Sequence, residues 1–547
     1  MKFPLVMCAG LILLFISSCT EVSQENRFLR TRGQDIVDGS GHKVLLRGVG
    51  LGNWLLPEGY MWKFGPEGDR PRKIEKLVSD LIGDEKATEF WRQFRHHYIT
   101  EADIARIAEL GFNSVRPALN ARLFLSEGDT ARFVEESFAL LDSLVSWCRK
   151  HDLYVIIDMH GAPGGQTGAN IDDSPRDLPE LFTDGRNQDR LVDLWRKIAE
   201  RYRDEPAVAA YDLLNEPLPR RTGAADQYAH LVEPLYRRIT AAIRAVDPHH
   251  MITLEGVDWS NDWSIFGEPF DDNVFYQFHY YCWNRPDNLN DISHFLARRE
   301  ELNTPVWVGE TGEKGNTIYW ATTQYFEANN IGWSFWPWKK MDTRNTPYSI
   351  NRPANWDQIA AYSRGGDKPA AGVAQQAFDE LIDNIQLANC VYFPDVVNSI
   401  FRRAPVRIEA ENYGHQGYNT SYYVADTTQR SEYYRVKEPV RIELIDFVEN
   451  QFWSEQYVRL QTDEWVACNF ENPELQSARI VVKVKKETDL AAFTFSLNGI
   501  VKSYTIDGAD WMEIAADVSG LKPGQNTIKL TVTDGEIGFD WVDILPN

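Results

Sequence analysis

Cysteine is scarce and nowhere set at metal-ligand spacing. Six occur in 547 residues, and Cys148, Cys282, Cys390 and Cys468 lie far apart with no C-x-x-C pair. That argues against a zinc module and leaves these four as expected buried thiols. Positive charge is also short. Lys and Arg total 57 against 80 Asp and Glu, for a formal net charge of −23. Nucleic-acid binding needs a basic face, so that class is set aside, while an uncharged substrate is compatible. Long apolar runs are missing. The longest, residues 4–16, falls short of the roughly 20 residues a spanning helix needs. No Gly-rich fingerprint follows the first expected strand, which weakens a dinucleotide-binding open sheet.

The N-terminus does carry a targeting pattern. Lys2, the apolar run and Ile16-Ser17-Ser18-Cys19 resemble a bacterial lipoprotein signal. Residues 1–19 are expected to be that signal, Cys19 the lipidated residue and 20–33 a tether. The expected place is then the bacterial cell envelope, at the outer membrane or cell surface, with the membrane as a partner through lipid and the protein a monomer. Aromatics reach 12% with 18 Trp, which suits either a large core or sugar stacking.

From 34 to 388 short apolar runs alternate with amphipathic helical stretches. The runs cover 44–49, 114–117, 154–159, 207–214, 251–255, 274–279, 306–309 and 332–336. Eight strands alternating with helices predict a (β/α)8 TIM barrel, an α/β fold. Pro394, Arg402, Arg403 and Pro405 mark 389–405 as a linker. Beyond it, 406–547 is expected to be an all-β jelly-roll sandwich. Strand-length runs there are separated by turns at Asn498-Gly499, Asp507-Gly508, Pro523-Gly524 and Asp534-Gly535.

Barrel strands present side chains to one mouth at their C-terminal ends. The expected strand ends offer Arg116, His160, Asn215-Glu216, His279 with Tyr281, Glu310, and Trp336 with Trp338. Two carboxylates from strands 4 and 7 suit glycosidic cleavage, in which one protonates the leaving oxygen and the other attacks or activates water. A metal site would need further ligands that the spacing does not supply.

Leu46-Arg47-Gly48-Val49-Gly50-Leu51-Gly52-Asn53-Trp54, Gly111-Phe112-Asn113-Ser114-Val115-Arg116, Asp158-Met159-His160-Gly161, Leu214-Asn215-Glu216-Pro217 and Val308-Gly309-Glu310 follow one another in order. Together they resemble glycoside hydrolase family 5, the cellulase family. The segments at 161–166 and 332–340 look closest to its exo-β-1,3-glucanase branch. The resemblance implies Glu216 as acid/base and Glu310 as nucleophile of a retaining β-glycoside hydrolase, with no cofactor in catalysis. It implies substrate contacts by Arg116, His160, Asn215, His279, Tyr281 and Trp336, with Trp338 an alternative floor for the sugar. The expected substrate is a polysaccharide or oligosaccharide, a β-1,3- or β-1,4-glucan, with β-mannan or another β-glycan as an alternative. A non-catalytic glycan-binding surface lipoprotein is the reading from another class.

Residues 407–413, 463–465 and 538–544 resemble a family 6 carbohydrate-binding module. That implies a sugar-binding sandwich with a structural calcium, for which Glu409, Glu411 and Asp540 are the expected oxygen donors.

Overall fold

The computed structural model describes residues 27–283, 289–445 and 455–547. The signal segment, Cys19 and residues 20–26 of the tether lie outside the described residues.

Eight parallel strands close into a barrel: β1 Arg47–Leu55, β2 Ser114–Asn120, β3 Tyr154–Gly161, β4 Val208–Asp212, β5 Met251–Glu255, β6 Val274–Tyr280, β7 Val306–Gly312 and β8 Gly332–Trp336. They neighbour one another in chain order, and β8 closes on β1. Almost every strand residue is buried. This explains the near-continuous Val/Ile/Leu runs: helices cover the outside and side chains fill the inside.

Two strands differ from expectation. β1 was expected at 44–49 and runs to Leu55, because Gly50 and Gly52 let it pass beneath a large ring. A Cβ on Gly50 would lie 2.3 Å from the Trp336 indole, and one on Gly52 2.6 Å from it. β4 was expected to reach 214 and ends at Asp212. Beyond it the chain leaves the ladder and turns left-handed at Glu216, φ 42°, and again at Leu218, φ 52°.

Two further helices, Pro71–Ile82 and Asp84–Tyr98, were not anticipated in the β1–β2 connection. Phe90, Phe94 and Tyr98 recur at helical spacing, and all three are buried. The expected linker 389–405 is no loose spacer. It contains the helix Pro394–Phe401, with Val396, Val397 and Ile400 buried in the barrel's outer core.

The C-terminal region packs two antiparallel sheets face to face. One combines Val406–Glu409, Arg441–Leu444, Gln456–Gln461, Ser477–Lys486, Met512–Ser519 and Glu536–Pro546. The other combines Tyr422–Tyr423, Trp465–Asn472, Ala492–Leu497, Ile500–Thr505 and Gly524–Asp534. Inward residues of both sheets, such as Val482, Ile544, Phe493 and Leu530, share one core. The Asn498-Gly499 hairpin carries φ 51° and 88°, as a two-residue turn with left-handed residues requires.

The barrel helix Asn316–Ala328 joins the domains. Its Trp320 is 1% exposed and belongs to the sandwich core. Its Glu327 accepts from Arg402 at 2.6 Å, and its Thr323 hydroxyl from the same guanidinium at 2.9 Å.

Candidate active site

The C-terminal mouth of the barrel holds a cavity of about 700 Å³. Six of the expected residues line it: His160, Glu216, His279, Tyr281, Glu310 and Trp336. Arg116 and Asn215 sit behind its wall, each 0% exposed. Trp338 does not reach it. That indole is 1% exposed and donates to Asp103 at 3.0 Å in the outer core, so the alternative floor is removed. Trp336 lies flat against His160, with ring centroids 5.3 Å apart and planes 4° apart. Its N–H donates to Tyr60 at 3.0 Å.

Glu216, His279 and Glu310 each place one polar atom within 4.8 Å of the others. His279 Nδ1 is 2.6 Å from Glu216 Oε1 and 3.5 Å from Glu310 Oε2. Glu310 is held at both oxygens: Arg116 donates to Oε1 at 2.7 Å and Tyr281 to Oε2 at 2.8 Å.

The two carboxyls are pushed in opposite directions. Burial raises the Glu216 pKa, and the neighbouring charges of Glu310 and Glu255 add to it, against the pull of His279. Burial would raise Glu310 as well. His279, Arg116, His160 and the Tyr281 hydroxyl outweigh it and hold Glu310 below the ordinary glutamate value. One group is thus poised to give a proton and the other to attack as an anion. The same trio could in principle ligate a metal. Glu310 is already committed to a guanidinium and a phenol, and Glu216 to an imidazole, which suits organic acid–base chemistry better.

The supporting residues were not expected from sequence. Arg116 meets Asp212 at 2.8 Å, Glu255 at 3.1 Å and Asp158 at 3.3 Å besides Glu310. Burial and the neighbouring carboxylates raise the Asp212 pKa, against the pull of that cation. Glu255 Oε2 accepts the Glu216 backbone N–H at 2.7 Å, which pins the acid's left-handed turn. Asp158 bonds His160 at 2.7 Å, and the imidazole pKa rises to about 9 even though burial opposes it. Glu58, just past β1, lines the cavity. It is buried, and burial pushes its pKa to about 8. Gln166 clamps three turns at once. Its side-chain N–H groups donate to His160 O at 2.7 Å and Asn215 O at 2.9 Å, and its oxygen accepts from Ala162 N at 3.0 Å.

Residues 83–342 match the family model for cellulase, glycosyl hydrolase family 5. A probable glucan 1,3-beta-glucosidase A of Emericella nidulans is 30% identical over 304 residues, covering 52% of this chain and 71% of that protein. The chain belongs to glycosyl hydrolase family 5. Further similarity is found to a beta-xylosidase of Phanerodontia chrysosporium, 29% identical over 400 residues, 65% of this chain and 82% of that one. The crystal structure of an endogalactoceramidase aligns over 95% of this chain and 100% of its own, with a TM-score of 0.45 and 17% identity. The family 5 chain is a glycoside hydrolase. A separation within 4.8 Å belongs to the retaining class, whose carboxyls stand about 5 Å apart, and leaves no room for the water an inverting enzyme holds between them.

The expected calcium donors are not assembled. Among the described residues, only the active-site trio gathers three such ligand atoms. Asp540 is instead ion-paired with Lys483 at 2.7 Å. Burial and the Asp540 charge raise the Glu409 pKa to about 8. Glu411 is buried nearby in the chain but does not complete a site.

Proposed function

We propose that this chain cleaves β-1,3- or β-1,4-linked glucan by double displacement, with Glu310 as nucleophile and Glu216 as acid/base. The observation that carries this is the opposed titration of two carboxyls within 4.8 Å. Glu310 attacks the anomeric carbon, Glu216 delivers its proton to the departing oxygen, and a glycosyl-enzyme forms. Water then enters, Glu216 takes its proton, the oxygen bonds to the anomeric carbon, and Glu310 is released. His279 and Arg116 stabilise the charge on Glu310, and the Trp336 face underlies the reacting ring. His160 meets sugar hydroxyls from the same wall, and Asn215 is the proposed partner of the 2-hydroxyl. The β-glucosidase relative motivates glucan as substrate, and the xylosidase relative brings β-xylosides into the test. We propose also that Cys19 anchors the enzyme to the cell envelope by lipid. A Cys19→Ala chain should then be released soluble and active.

Reducing-sugar release from purified β-1,3-glucan, β-1,4-glucan, β-mannan and xylan tests the substrate. Proton NMR of the first-formed product tests the mechanism. Retention of the β-anomer is expected, and an inverted product refutes it.

A further inference from the structure

A second hollow, about 340 Å³, opens where the barrel and sandwich meet. Asn290, Asp291 and Tyr325 line it from the barrel, and His415, Tyr433 and Lys437 from the sandwich. Asn290 and Asp291 also line the catalytic cavity, so the two hollows share one wall. That wall follows β6, whose His279 bonds Glu216. Asn290 also donates to Tyr281 O at 3.2 Å, so the shared wall is tied to a residue that lines the catalytic cavity.

Several contacts fix its shape in advance. Tyr325 sits on the same helix that buries Trp320 in the sandwich core. The His415 ring packs on Tyr325 with centroids 5.0 Å apart. On the sandwich edge, the buried Arg435 ion-pairs with Glu438 at 2.8 Å, donates to Gly414 O at 2.8 Å and lies over the Tyr413 ring. Lys437 crosses to Asp291 at 2.9 Å. The result is an aromatic floor rimmed by an amide, a carboxylate and an ammonium. A sugar ring matches it, with an apolar C–H face for the rings and hydroxyls for the rim.

We propose that this hollow binds the far end of an oligosaccharide whose other end occupies the catalytic cavity, so that the sandwich contributes a subsite to the barrel's own cleft. The proposal rests on the glycan-cleaving reading above and adds where the chain of sugars leads.

The test compares laminarihexaose, with six sugar rings, with 4-nitrophenyl β-glucoside, which has one. Tyr433→Ala and Lys437→Ala should each lower kcat/KM on the hexaose by about tenfold, the loss of one ring or rim contact. Both should leave the aryl glucoside rate unchanged, and Tyr433→Phe should keep the wild-type hexaose rate. Equal losses on both substrates, or none on either, overturn the subsite. A wild-type chain inactive on laminarihexaose, on cellohexaose and on the aryl glucoside overturns the functional reading itself, and the subsite with it.

Discussion

Glu216 and Glu310 share one side chain and a similar burial, yet their environments part them. His279 stands between the two and lowers the pKa of both. Activity should fall on the acid side as Glu310 takes up a proton below the ordinary glutamate value. On the alkaline side it should fall as Glu216 loses its proton above that value. His279→Asn removes a positive charge, so both limbs should move to higher pH in a kcat/KM profile. An unmoved acid limb would contradict the contact with Glu310. The two carboxyls should also fail differently. Glu310→Ala should stop turnover on every substrate, with azide restoring product of inverted configuration. Glu216→Ala should cost about 10²- to 10⁴-fold on glucan and far less on a dinitrophenyl glycoside, whose leaving group needs no proton. Equal losses on both substrates would refute the roles.

The elements that carry these groups are themselves braced. Gln166 ties the exits of β3 and β4 through His160 O and Asn215 O. Gln166→Ala removes the side-chain donor to both carbonyls, which costs about 1–3 kcal/mol for each group left unsatisfied. It also frees the turn holding Glu216, and small misplacements of reacting groups are costly. A drop in kcat of about tenfold to a hundredfold with little change in KM is expected; a change confined to KM would show that Gln166 acts elsewhere. Much of this scale was legible beforehand. The buried strands announce themselves as apolar runs, and strand ends at one mouth place Glu216, Glu310 and Trp336 together. Glu255 and Asp212 escaped notice because a buried carboxylate inside a strand reads like any other acid until its cation, Arg116, is brought beside it from a distant strand. Glu58 escaped because it follows the β1 exit after a bend. Gly50 and Gly52 lie just past the expected end of the first strand at 49, yet their missing side chains seat the Trp336 ring. The Lys483–Asp540 ion pair escaped notice for a related reason: Lys483 lies far from Asp540 in sequence but beside it across the sheet.

At the scale of the whole chain, the two domains are joined by an aromatic residue rather than a flexible strap. Cutting the chain after 405 would uncover Trp320, a side chain whose burial is worth about 4 kcal/mol. The isolated barrel should melt at a lower temperature than the full chain and aggregate on heating, as read by calorimetry and light scattering. Trp320→Ser in the truncated barrel should restore solubility, and persistent aggregation would place the weakness elsewhere. The sequence pattern marked the border near 390–405 but gave no hint of this tie, because Trp320 has helical spacing suited to the barrel's own core. The tie also constrains descent. A recombination that exchanged the sandwich for an unrelated module would leave the barrel's outer helix displaying an orphaned indole, so the two halves are bound to be inherited, and engineered, as a single unit.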